Sequence, residues 1–409
     1  MKPMTITRTA RLIPLERSAS FNQYTLTYSA PAPLCCVLTY TTAGTEHTED
    51  FFLNAGEELR FSSYIDGYLR HETADAAVSL SVRTISHDEA GFVLLDLALA
   101  TVPVLAETTY FFENDRYRVG VELCWGGGLS YLADKTCPVE GLENLLNCCD
   151  TGRLIQQSYY GTSQPPYECG EFMGNRWCYN PVQGGDRGNH KSKLIEARVS
   201  EHEVYVKCRP RDWGHDGGTT YAYMENWYRL DGDCVVVDNR FTDYSGWEHP
   251  VNSQEVPAFY TVSYLGNYHW YDGDTPWTNA PLSCKSDLPF WPTDWPYCTF
   301  HLKEENSETW SAFTDDAGYG LGLFTPDVRR LLAGRHAYDG SMDPRAGSCG
   351  YIAPTVFMAI RCFEPITYRY LLTAGQLDTI RARFTARKSE VHNEMFAKAR
   401  RIAAQGAQK

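Results

Sequence analysis

Ala76-Ala77-Val78-Ser79-Leu80-Ser81-Val82-Arg83 decides the fold. Val78, Leu80 and Val82 alternate with serines and an arginine. That is the pattern of a strand with one face on a core and the other in water. Nearby, residues 5–12, 34–41, 59–65, 91–99 and 105–112 are rich in Val, Ile, Thr, Tyr and Phe, with Gly, Pro, Asn and Asp between them. Short strands separated by turn residues indicate a β-sandwich.

The pattern continues past the polar stretch Glu113-Asn114-Asp115-Arg116, read here as a domain boundary. Strands are expected at 117–123, 192–199, 203–208, 221–230, 234–242, 258–265, 310–314, 319–324, 355–362 and 368–372. Asp231-Gly232-Asp233 is a hairpin signal. From Gln376 the period changes: Leu377, Ile380, Phe384, Val391, Met395, Ala399 and Ile402 recur at helical spacing. Asp378 at the start and Arg400-Arg401 near the end suit the helix dipole, and a break falls near Ala386-Arg387-Lys388. The expectation is an all-β protein of two β-sandwich domains, jelly-roll or supersandwich in type, with a C-terminal α-helix. Residues 1–115 form a scaffold or accessory sandwich. Residues 116–375 form a larger one carrying the site, and 376–409 are the amphipathic helix, packed on the sandwich or on a partner chain of a homo-oligomer.

Composition narrows the function. The 409 residues carry a net charge of −14, which disfavours nucleic acid and anionic membranes as partners. No apolar run is long enough to span a bilayer. Met1-Lys2-Pro3-Met4-Thr5-Ile6-Thr7-Arg8 has no export signal, so a cytoplasmic protein is expected. Fourteen cysteines show irregular spacing and no Cys-x-x-Cys, which reads as reduced thiols in that compartment. Nucleotide-binding glycine motifs and Gly-x-Ser-x-Gly are absent. No cofactor is expected. His215 and Asp216 have no third ligand in the sequence, so no metal is expected either.

The stretch from Asp150 to Asp186 is the most polar and glycine-rich. Asp150, Arg153, Gln156, Gln157, Tyr160, Asn180, Gln183 and Asp186 lie among glycines and prolines. Such side chains suit a ligand covered in hydroxyls, since a core leaves no amide or carboxylate without a partner. On alternation, one of Tyr159 and Tyr160 points inward and one outward. With 27 Tyr and 10 Trp the chain has aromatic faces for sugar rings, and Trp227 and Trp270 are candidates. Aromatic, proline-rich stretches at 269–277 and 290–297 wall a cleft or cap the sandwich. Trp125-Gly126-Gly127-Gly128-Leu129-Ser130-Tyr131-Leu132 resembles the opening strands of galactose-mutarotase-like supersandwich proteins, where a Gly-Gly pair precedes a strand.

Glycoside cleavage uses two carboxylates. Glu225, in Tyr223-Met224-Glu225-Asn226-Trp227-Tyr228, and Glu255, in Gln254-Glu255-Val256-Pro257, are the expected pair. Aromatic neighbours would raise the pKa of an acid among them. The leading expectation is a glycoside hydrolase acting on an oligosaccharide. A polysaccharide lyase or sugar epimerase would instead use a Tyr or His base, with Tyr160, His190 and Arg153 matching in type. A non-catalytic carbohydrate-binding protein is the third reading.

Overall fold

The computed structural model describes residues 109–286, 288, 299–302 and 307–399, together with eight strands of the first 108 residues. The expected stretch 290–297 lies outside the described residues. The chain divides into two compact units, Met1–Thr108 and Thr109–Lys409.

The first unit holds two four-stranded antiparallel sheets. One has the order β1 (Met4–Ile6), β8 (Phe92–Ala100), β3 (Gln23–Ser29), β6 (Glu58–Ser62). The other runs β2 (Arg11–Pro14), β7 (Val78–Thr84), β4 (Leu34–Thr42), β5 (Thr45–Leu53). The alternating stretch is β7, and Val82 is fully buried on it, as are its partner Cys36 on β4 and Leu53 on β5. The single strand expected over 5–12 is two strands, β1 and β2, placed in different sheets.

The second unit opens with a three-stranded sheet of β9 (Thr109–Glu113), β10 (Tyr117–Glu122) and β11 (Gly128–Asp134). Asn114–Arg116 is therefore a hairpin turn, with the Asn114 side chain accepting from the backbone N–H of Arg116 and Tyr117. Gly126 and Gly127 take φ of 62° and 78° just before β11, a conformation that favours glycine.

Two large sheets follow. The nine-stranded sheet has the order β16 (Lys193–Val199), β17 (Glu203–Arg209), β19 (Ala222–Asp231), β20 (Cys234–Asp243), β29 (Ile366–Gln376), β26 (Tyr319–Phe324), β25 (Trp310–Thr314), β22 (Asn267–Trp270), β23 (Ser283–Lys285). The seven-stranded sheet has the order β18 (Arg211–Asp212), β15 (Pro181–Val182), β12 (Gln156–Ser158), β21 (Asn252–Val262), β28 (Cys349–Met358), β27 (Arg330–His336), β24 (Thr299–His301). A small hairpin, β13 (Gly170–Phe172) and β14 (Asn175–Trp177), completes the set. The Asp231-Gly232-Asp233 signal is the β19–β20 turn, where Asp231 pairs with Cys234.

The large sheets face each other. Tyr159 stacks on Phe241 at 4.1 Å, and Gln157 bonds Asn226 across the gap. The other face of the nine-stranded sheet is covered by α1 (Leu377–Arg387), whose Ile380 and Phe384 pack with Trp310, Phe324 and Leu371. The helix ends at Arg387, where the break was expected, and helical backbone returns at 394–399. No helix among the described residues is long and apolar enough to cross a membrane.

One buried ion pair locks α1 down. Arg381 donates to both oxygens of Glu308, and Glu308 also accepts from Trp310 Nε1 at 2.8 Å and from the Trp277 N–H at 2.8 Å. Removing one partner leaves a buried charge uncompensated, at a cost of about 3–5 kcal/mol. Glu308→Gln is thus expected to lower the unfolding midpoint far more than a surface change such as Glu364→Gln, as read by urea denaturation.

Candidate functional site

Alternation on β12 sets the site. Gln157 and Tyr159 point into the sandwich, so Gln156, Ser158 and Tyr160 point out through the other face of the seven-stranded sheet. Of the tyrosine pair, Tyr159 is the core residue and Tyr160 the outward one. Strand β21 lies beside β12 and carries a bulge, with its register to β28 shifting between Glu255 and Phe259. Pro257 lacks a backbone donor and suits such an interruption. The bulge switches the parity of the strand: Ser253 and Glu255 before it, and Ala258 and Tyr260 after it, all face outward.

These residues floor a cavity of about 450 Å³. One wall is Tyr260 and Tyr351, with ring centroids 5.1 Å apart. The opposite wall is Phe172 and Trp177 of the β13–β14 hairpin, with Trp213, the rings meeting edge to face at 5.1–5.6 Å. The hairpin docks because Gly170 and Gly214 lack side chains: a Cβ on Gly170 would lie 2.2 Å from the Gly214 carbonyl oxygen. The Glu171 N–H bonds that oxygen at 2.9 Å. Amides complete the lining. Asn180 accepts from Trp177 Nε1 at 2.9 Å and donates to the Tyr159 carbonyl at 2.7 Å. Gln156 donates to the Gly152 carbonyl and accepts from the Gly184 N–H.

Glu255 is the one carboxyl among the described lining residues. It is 8% exposed, and Tyr351 donates to its Oε1 at 2.5 Å. Burial pushes its pKa above the ordinary glutamate range, partly opposed by hydrogen bonds from Tyr351, Tyr160 and Ser158. No cation lines the cavity among the described residues. Arg330, on β27, is turned to Ser253, Thr355 and the ring of Phe357. A second carboxyl, Asp212, sits behind the wall, taking the Tyr167 hydroxyl at 2.9 Å and the Asn180 N–H at 3.2 Å, and burial raises its pKa as well.

The structure brings together Gln156, Tyr160, Asn180 and Glu255. It places the others elsewhere. Glu225 lies on the face of β19 opposite Asn226, so it points away from the seven-stranded sheet; Tyr205 donates to it at 2.8 Å and Arg240 lies at 3.6 Å. Glu225 and Glu255 therefore do not share a cleft. Trp227 packs on Tyr205 on that same outer face. Trp270 stacks on Tyr268 and packs against a tilted Phe300 near the far edge of the nine-stranded sheet. Gln157 and Gln183 are fully buried between the sheets, both donating to Asn226 Oδ1 at 2.9 Å. Asp150 and Arg153 pair with each other at 3.2 Å, next to the lining residue Gly152.

Asp186 is a loop anchor. Its oxygens accept from the N–H of Gly188, His190 and Gly217 and from His190 Nδ1. Asp186, His190 and Asp216 are close enough to share an ion, but the Asp186 lone pairs already face these donors. His215 instead contacts the Glu168 carbonyl. Tyr351, Ser158, Trp177, Trp213 and Phe172 were not singled out from the sequence. Trp213 stands in a glycine-rich loop and Trp177 in a short hairpin turned at Gly174, which was the available signal; nothing in its own strand marks Tyr351.

No protein-family model and no curated protein matches this chain. Among solved structures, it is similar to a galactose mutarotase-like protein from Lactobacillus casei ATCC 334 (10% identity, 65% of this chain and 99% of that one, TM-score 0.40). It is also similar to a galactose mutarotase related enzyme from Lactobacillus acidophilus (10% identity, 65% and 97%, TM-score 0.39). An alpha-galactosidase from Lactobacillus brevis aligns over 66% of this chain and 39% of its own (11% identity, TM-score 0.37). Likenesses with TM-scores below 0.5 carry no weight for the chemistry, which rests on the residues of the cleft.

The raised pKa of Glu255 has a thermodynamic consequence. Its folded pKa lies above its unfolded one, so the protonated group contributes stability that is fully present below about pH 4.3, the unfolded glutamate value. That contribution is lost as pH rises through the folded value. The stability of the wild type relative to Glu255→Gln should fall with rising pH and then level off. Urea unfolding of both proteins across pH reads this, and a constant difference would contradict it.

Proposed function

We propose that the cleft binds an uncharged saccharide and that Glu255 exchanges a proton with it. The observation that carries this reading is a buried carboxyl bonded by hydroxyls, with no cation among the described lining residues, on the floor of an aromatic and amide-walled cavity. A volume of about 450 Å³ falls in the range of roughly 300–1,000 Å³ usual for small-molecule sites. Aromatic rings offer flat apolar faces to a sugar ring, and amides match its hydroxyls.

Proton-transfer chemistry follows from the environment. A carboxyl with a raised pKa keeps its acid form closer to neutral pH while remaining able to act as a base. In ring opening of an aldose, neutral Glu255 would give its proton to the ring oxygen as the bond from that oxygen to the anomeric carbon breaks. The anomeric hydroxyl would lose its proton to water at the cleft mouth, and closure on the other face would reverse both transfers.

Hydrolysis by two carboxylates would need a partner roughly 5–9.5 Å from Glu255, and no second carboxyl lines the cleft among the described residues. Elimination from a uronate would need a cation for the substrate carboxylate, and the described lining supplies none. A single-carboxyl epimerisation of a neutral sugar is therefore favoured over hydrolysis and elimination.

The test is anomer exchange followed by NMR over a panel of neutral aldoses, with chromogenic aryl glycosides run in parallel. The wild type should accelerate exchange for at least one aldose, and Glu255→Gln should lower that acceleration by about 10²–10⁴-fold. Glu225→Gln should retain it. Aryl glycoside cleavage without anomer exchange, or a fully active Glu255→Gln, would overturn the reading.

A further inference from the structure

Next to the segments that carry Tyr160 and Asn180 lies a group of side chains with no part in the proton transfer: the buried Asp243 and His249 and the half-buried Ser245 and Cys362. Ser245 Oγ donates to Asp243 Oδ1 at 2.6 Å, and Cys362 Sγ lies 3.1 Å from the same oxygen. His249 Nε2 stands 3.3 Å from that oxygen and 3.1 Å from Ser245 Oγ. The donor atoms of Asp243, His249 and Cys362 are close enough to share an ion. The imidazole argues against one. Its Nδ1 accepts the Thr162 N–H at 3.1 Å, so in the neutral ring the proton sits on Nε2, toward Asp243 and Ser245, leaving no lone pair there for a cation.

We propose that His249 is a positioning residue of the cleft, setting the place of Tyr160 and Asn180 through the Thr162 N–H; this rests on the cleft being the functional site. The links are short. Thr162 and Tyr179 belong to two segments laced together by Gly161 N–H to the Tyr179 carbonyl at 2.7 Å and Tyr179 N–H to the Thr162 carbonyl at 2.9 Å. Tyr160 lies two residues before Thr162, Asn180 directly follows Tyr179, and both line the cleft. His249 clamps both segments from behind, accepting from one and stacking on Tyr179 of the other at 5.2 Å and 20°. Gly161 makes room for the ring, since a Cβ there would lie 2.4 Å from Nδ1. Asp243 and Ser245 hold the tautomer that keeps Nδ1 an acceptor.

The Trp177 indole N–H donates to Asn180 Oδ1 at 2.9 Å, so its ¹⁵N–¹H signal reports where Asn180 sits, with no ligand present. His249→Asn keeps an acceptor near the Nδ1 position, and His249→Phe keeps a ring but no acceptor. The expected result is a Trp177 signal near its wild-type place in His249→Asn and displaced in His249→Phe. KM for the sugar should rise about 3–10-fold in His249→Phe, the worth of one neutral hydrogen bond, while the pH dependence set by Glu255 stays put. An undisplaced signal in His249→Phe, or equal displacement in His249→Asn, would overturn the proposal. Should His249→Phe fail to fold, Gly161→Ala poses the question from the other side, and an unmoved signal there counts against it equally. If no sugar binds the wild type, the reading of the cleft fails while the Trp177 signal still decides the role of His249.

Discussion

The structure depends on a set of amides sealed between the two large sheets. Asn226 Oδ1 takes one N–H from Gln157 and one from Gln183, and Asn226 Nδ2 passes a bond on to Asn239 at 2.7 Å. Gln157 Oε1 accepts from the Tyr159 hydroxyl, and Gln183 Oε1 from the Gln157 N–H. These residues are at most 2% exposed. A buried amide group without a partner costs about 1–3 kcal/mol, so slipping β12 against β19 by one residue would strand several at once. The network therefore holds a register, which apolar packing alone specifies less sharply.

That register decides what the cleft contains. Strand side chains alternate, so pinning Gln157 inward turns Gln156 and Ser158 outward. The bulge after Glu255 then lets β21 present two pairs of residues to the same side. The fate of Glu225 follows from the same rule. Asn226 is committed to the interior, so Glu225 must face away, where Tyr205 and Arg240 receive it. Two glutamates in similar aromatic contexts thus end on opposite sides of the sandwich.

Much of the fold was legible because half-buried strands show their period. Val82 on β7, the β19–β20 turn and the break after Arg387 all appear as the alternation and turn chemistry imply. Strand β27 escaped because its centre, Leu331 to Gly334, is buried without alternation, and a short apolar run has no readable face. The site was less legible. An amide in a glycine-rich stretch looks the same whether it will meet a ligand or another amide. Gln156 and Gln157 are adjacent and chemically identical, and what separates them is the partner Asn226, about seventy residues away in sequence. Asp150 and Arg153 could be read as ligand groups or as each other's partners, and the structure pairs them. Tyr351 meets Glu255 across ninety-six residues, a contact that no local pattern encodes.

The treatment of buried and half-buried acids separates structure from chemistry. Glu308 is matched by Arg381, Asp238 by Arg229 and Arg369, and Asp134 by Arg116. Each pairing offsets desolvation with an opposite charge. Asp238 accordingly titrates below its ordinary range: burial would raise it, and the two arginines outweigh that. Glu255 has no such partner among the described residues, and hydroxyls are all that Tyr351, Tyr160 and Ser158 can give it. A core position would be better filled by an apolar side chain or a matched pair, because a neutral acid among aromatics adds little stability and is a liability once ionised. Asp212, the other acid that burial raises, lies outside the lining, whereas Glu255 sits at the floor of an accessible cavity; that placement is the physical reason to propose the proton transfer for Glu255.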